Sequence, residues 1–265
     1  MMVWIYCPKC IFEAKEQIKN GSIVECQVII NSMTDSGEYV VECDKGHSSI
    51  TIIDNVKFEL LFEMGLNAIV DGYPHQAVAS FASALERFYE FFWRVVMQHK
   101  EVPDEQINAS WKKMSKQSER QLGAYISAFL GLNGEAPTLL DTNDDVSFRN
   151  KVIHAGYVPS EEEAVSFGEV VKNHIENDIK LLRNICPSAL DATYKNLSPA
   201  NDYKEAKEED CKDNAVLVIN VLTAIDIRHP PTEGDIRLGS VYAQKGRILK
   251  ERKRGRLSLS KKPFK

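Results

Sequence analysis

The chain has 265 residues, 43% of them hydrophobic and 27% charged, with a formal net charge of −5. This is the composition of a globular protein with room for one main domain and a smaller appendage, and it excludes a chain disordered throughout. No apolar run approaches the roughly 20 residues of a membrane span. Residues 1–6 are apolar but lack a basic start and are broken at once by Cys7-Pro8, so they do not read as an export signal. A cytoplasmic protein without membrane contact is predicted, and in that setting six cysteines point to metal binding or burial rather than to a disulfide scaffold.

Residues 1–54 are predicted as a small β module. Residues 23–30 are β-rich, with Val24, Cys26, Val28 and Ile30 on one face at period two. Residues 39–41 and 48–53 give two further short strands, with Thr34-Asp35-Ser36-Gly37 as turn material. From about residue 55 to 190 the period becomes helical. A first helix stops at Gly72, and Pro74 opens a second that runs to about residue 99. Its apolar stripe of Val78, Phe81, Ala82, Leu85, Phe88, Phe92 and Val95 suits a core or a dimer face. One or two helices fill residues 103–130. Another starts near residue 144 and ends at Gly156, and a last one begins at Ser160, spaced from Glu163 as a capping box, and ends before Pro187.

Residues 191–265 are predicted as a polar linker, an apolar run at 215–227 that is either helix or strand, and a basic tail. From residue 241 onward ten Lys or Arg face one acid, Glu251, a net of about +9 that leaves the rest at about −14. Such a tail attracts phosphates without reading sequence, and Arg252, Lys253, Arg254 and Arg256 are candidate RNA contacts. A solvated end is the plainer alternative.

Cys7-Pro8-Lys9-Cys10 and Cys43-Asp44-Lys45-Gly46-His47 flank the predicted strands. Two tight turns, each with two ligands, supply the tetrahedral corners zinc prefers, and about fifty residues bury too little apolar surface to fold unaided. A redox dithiol would expect a βαβ context that is absent here. Cys26 lies on the apolar face of its strand and reads as core, while Cys186 and Cys211 are isolated. The pattern resembles a zinc ribbon, which implies a closed, structural Zn²⁺ on Cys7, Cys10, Cys43 and His47.

The second constellation is Phe148-Arg149-Asn150-Lys151-Val152-Ile153-His154-Ala155-Gly156-Tyr157. On a helix Phe148 and Val152 share one face, Asn150 and His154 share another, and Arg149 can bend toward the second pair. An imidazole that titrates near neutrality suits a general base for a 2′-hydroxyl, and a permanent planar cation suits a phosphate whose charge grows. Asn150 would orient the imidazole or bond the phosphate. Taken alone, a histidine at a helix end is more often a favourable C-terminal charge. His75, His99, His174 and His229 have no comparable neighbours and read as surface or structural.

Arg-Asn-x-x-x-His near a helix end, followed by Gly-Tyr and a capped acidic helix, resembles the HEPN superfamily, as does Ala84-Leu85-Glu86-Arg87-Phe88-Tyr89. The resemblance spans roughly residues 56–186. It implies a mainly α fold, a HEPN-like helical bundle behind the β zinc ribbon, and an endoribonuclease needing no catalytic metal. It also implies catalytic Arg149, Asn150 and His154, a supporting contact from Glu86, a homodimer with RNA as substrate, and a toxin or antiviral setting with a possible antitoxin or defence partner. The alternatives are an inactive HEPN adaptor and a nucleic-acid-binding regulator built on the ribbon.

Overall fold

The computed structural model describes residues 3–13, 27–30, 33–201, 203 and 216–260. The chain is mainly helical and divides into two units, one of residues 1–56 and 197–222 and one of residues 57–196 and 223–265. Cys26 and Cys211 lie outside the described residues, as do the side chains of Arg254 and Arg256.

The first unit opens with β1 (Val3–Tyr6), a short helix α1 (Pro8–Glu13) and β2 (Gln27–Ile30), which pairs antiparallel with β1. Next come β3 (Glu38–Glu42) and β4 (Ser48–Ile53), an antiparallel pair. The undecided apolar run supplies β5 (Val216–Ile219), which lies parallel to β4 with Ile50 opposite Val216. Side chains at the end of β4 hold this return in place. Asp54 accepts hydrogen bonds from the Ser198 hydroxyl and the Ala200 N–H, while Asn55 exchanges two with the backbone of Val221.

The second unit contains α2 (Lys57–Val70), α3 (Pro74–His99), α4 (Asp104–Met114), α5 (Ser118–Asn133), α6 (Ser147–Ala155), α7 (Glu161–Ile185), α8 (Pro187–Asn196) and α9 (Val241–Ser260). The local stop signals act as expected: Gly156 ends α6 at φ 70°, and Ser160 and Glu163 form the reciprocal capping box that starts α7. Pro187 stops α7 but also opens α8, so residues 191–196 are helix rather than linker; a proline at the first helical position loses no bond that the helix would have made.

The core is aromatic and centred on α3. Every member of the predicted stripe is buried inside the chain, so those phenylalanines are core. Phe81 fits only because its neighbours are small. A Cβ on Gly65 of α2 would come within 2.5 Å of its ring, and one on Gly168 of α7 within 2.7 Å.

The basic tail is a helix from Val241, and part of its charge is paired within the unit. Arg247 bonds the buried Glu63, Arg252 bonds Asp71 and Asn67, and Lys245 bonds Glu161. Glu59, Glu63, Asn67 and Asp71 recur every four residues, which puts them in one row along α2. Glu59 and Glu63 also accept the backbone N–H groups of Ile227 and Ala224. Burial pushes the Glu63 carboxyl up against the opposing pull of Arg247, whereas the Arg252 hydrogen bond pulls Asp71 down.

Candidate functional site

In the first unit the two knuckles converge. Cys7 precedes α1, Cys10 sits in its first turn, and Cys43 and His47 close a turn in which Gly46 N–H bonds the Cys43 carbonyl at 2.8 Å. Gly46 takes φ 78°, a left-handed conformation that costs glycine nothing. The four ligand atoms lie within 4.8 Å of one another, with the three thiols buried. Cys10 Sγ is 3.8 Å from Cys43 Sγ and 3.3 Å from His47 Nδ1, and Cys7 Sγ is 3.9 Å from Nδ1.

Zinc–sulfur bonds of about 2.3 Å at tetrahedral angles require a sulfur–sulfur edge of about 3.8 Å. A disulfide would bring the sulfurs to about 2 Å. The spacing is too long for a disulfide and leaves room for a shared ion, and the donor set suits a soft or borderline metal such as zinc. Sequence reasoning missed Glu13, whose Oε1 stands 3.2 Å from His47 Nε2. Its signal was there to be used: it lies one helical turn after Cys10.

In the second unit α6 is attached by a few apolar contacts. Val152 is its one buried residue, and Phe148 packs on Phe167 and Tyr157 with ring centroids 5.8 and 6.4 Å away. His75 Nε2 lies 3.1 Å from the Val152 carbonyl. A carbonyl only accepts, so that nitrogen carries the proton and His75 is structural.

The opposite side of α6 carries the motif. Arg149 donates to Glu86 Oε1 of α3 at 2.8 Å and to Asn150 Oδ1 at 2.9 Å, with both Arg149 and Glu86 partly exposed. Asn150 and His154 are exposed. Arg149, Asn150 and Glu86 are thus brought into contact. His154 lies one turn further along, and its side chain makes no hydrogen bond among the described residues. Ile153, Tyr157 and Val158 form an exposed apolar group nearby in sequence.

Four residues to which the sequence assigned no joint role form a polar cluster in the helical core. Tyr125 donates to Asp178 Oδ2 at 2.7 Å, Tyr89 stacks on Tyr125 at 4.4 Å, and His174 Nε2 stands 3.8 Å from Asp178. Burial raises Asp178 to about 6 against the pull of Tyr125, and lowers His174 to about 4. Burial and then Asp178 also push the Tyr125 phenol far above its ordinary range.

Of the candidate RNA contacts, Arg252 is engaged by Asp71 and Asn67, and Lys253 is exposed. Among the described residues no helix is long and apolar enough to cross a membrane. No protein-family model matches the chain, and no curated protein and no solved structure matches it.

Proposed function

We propose that the chain is a metal-independent endoribonuclease of the HEPN type, acting as a pair of copies, with a structural zinc ion in its N-terminal unit. The observation that carries the reading is the arrangement on α6: Arg149 held by Glu86, beside exposed Asn150 and His154, on a helix anchored by its other side. Those groups are not needed for packing and are open to a polymer.

In this mechanism neutral His154 takes the proton of a ribose 2′-hydroxyl. The 2′-oxygen bonds to phosphorus while Arg149 meets the growing negative charge, and Asn150 positions the phosphate. The phosphorus–5′-oxygen bond breaks, leaving a 2′,3′-cyclic phosphate and a 5′-hydroxyl. The leaving oxygen needs a proton, which His154 of a second copy supplies. With the α3 phenylalanines buried, Ile153, Tyr157 and Val158 are the apolar group best suited to such pairing. A toxin or antiviral effector, with an antitoxin or defence partner, is the setting that fits this chemistry.

Incubation with RNA in EDTA should yield cyclic phosphate ends, and His154→Ala should reduce the rate about 10²- to 10⁴-fold. Arg149→Ala should cost a comparable factor. Cleavage that survives both substitutions, or that requires added magnesium, sinks the reading. One observation favours a second reading, an adaptor without activity: Arg149 is occupied by Glu86 and Asn150. A protein that cleaves no RNA either as wild type or as Glu86→Gln, which loosens Arg149, would favour the adaptor.

A further inference from the structure

Glu13 closes α1 three residues after Cys10, and positions three apart on a helix share a face. The two side chains accordingly meet the same imidazole from opposite edges. Cys10 Sγ lies 3.3 Å from Nδ1 of His47, and Glu13 Oε1 lies 3.2 Å from Nε2. A neutral imidazole has one proton and one free lone pair. A carboxylate accepts only, so its place at Nε2 keeps the proton there and leaves the Nδ1 lone pair facing the three sulfurs.

We propose that Glu13 is a positioning residue of the metal centre: its carboxylate holds His47 as the Nε2–H tautomer, fixes the ring plane and makes Nδ1 the metal ligand. This rests on the reading of Cys7, Cys10, Cys43 and His47 as a metal site. The competing account is an exposed ion pair with a side chain 60% accessible at Glu13, which would contribute little to stability and nothing to metal affinity. Partners of this kind typically change metal affinity by about 10- to 100-fold.

The test compares zinc affinity, by competition with a chromophoric chelator, in the full chain and in Glu13→Ala, Glu13→Gln and His47→Cys backgrounds. Glu13→Ala should weaken zinc binding about 10- to 100-fold. Glu13→Gln should recover much of the loss, because its amide oxygen still accepts from Nε2–H. In the His47→Cys background, where four thiolates bind and no imidazole needs orienting, Glu13→Ala should change nothing. Cobalt(II) loading should give the visible bands of a tetrahedral thiolate site in the wild type and in Glu13→Ala alike.

Equal zinc affinity in wild type and Glu13→Ala overturns the proposal, as does an equal loss in the His47→Cys background. A wild-type chain that takes up neither zinc nor cobalt overturns the metal reading itself, an outcome distinct from both.

Discussion

The two units solve the same problem with different materials. The helical unit buries eight phenylalanines to less than a tenth of their surface: Phe58, Phe62, Phe81, Phe88, Phe91, Phe92, Phe129 and Phe167. The first unit has short strands, and the buried cluster between its knuckles is three cysteines. Its long return to β5 is clasped by hydrogen bonds from Asp54 and Asn55. Where apolar area is plentiful, many small contacts share the stability. Where it is scarce, a few donor atoms holding an ion would carry much more of the stability.

The largest test of this contrast is to deprive the proposed zinc site of its ion. Structural zinc sites contribute roughly 10–16 kcal/mol of apparent binding free energy near neutral pH. Chelation, or Cys43→Ser, should therefore abolish slow amide exchange in β1 to β5 while α2, α3 and α7 stay protected. Hydrogen exchange read by mass spectrometry separates the units, and equal loss in both would break the contrast.

A second test concerns the polar cluster inside the helical core. Asp178, raised from 3.8 to about 6, gives stability that is full below pH 3.8 and is lost as pH rises through 6. His174, lowered from 6.5 to about 4, gives stability that is present above pH 6.5 and is lost as pH falls through 4. Between about pH 4 and 6 the native chain holds the extra proton on Asp178 and the unfolded chain holds it on His174, so the two slopes cancel. Asp178→Asn should leave the histidine's contribution uncompensated, and stability should fall on acidification by up to about 1.4 kcal/mol per pH unit. His174→Leu should give the opposite slope. Urea melts from pH 4 to 7 measure both, and slopes matching the wild type in either variant would show that these groups do not titrate as a compensating pair.

The finest test is one of packing. Gly65→Ala places a methyl against the Phe81 ring, and overpacking of that kind costs about 1–3 kcal/mol against the roughly 1 kcal/mol that alanine gains in helix propensity. The net should be a loss of about 1 kcal/mol, relieved by Phe81→Leu. Gly123→Ala on α5 meets nothing within 4 Å and should stabilise by about 0.5–1 kcal/mol. Denaturant midpoints should move in opposite directions for the two alanines.

What the sequence made legible was local. The ligand knuckles at Cys7 and Cys43, the stop at Gly156 and the box at Ser160 and Glu163 each write their chemistry within a few residues. The partners that stayed hidden are distant in the chain. β5 pairs with β4 across more than 160 residues, and a four-residue apolar strand carries no mark of its neighbour. Tyr125 and Asp178 meet across 53 positions. The tail read as one block of charge because its pairing with α2 depends on a helical period spanning Arg247 and Arg252 and a row of acceptors 184 and 181 residues earlier. Glu86 and Arg149 form an intermediate case, since the family resemblance singled out both residues and only the fold supplied their contact.

That acceptor row on α2 bears on the order in which the chain matures. Glu59 and Glu63 are nearly solvent-free in the finished protein, yet the Tyr194 hydroxyl, the N–H groups of Ile227 and Ala224 and the Arg247 guanidinium that bond them are synthesised 135 to 184 residues later. While the ribosome is still making residues 100–190, α2 carries two carboxylates whose native partners named here do not yet exist, and an unpaired buried charge is among the costliest things a fold can hold. The first helix of this unit should therefore keep that face in water until the last helix arrives, so that its two ends reach their final state together.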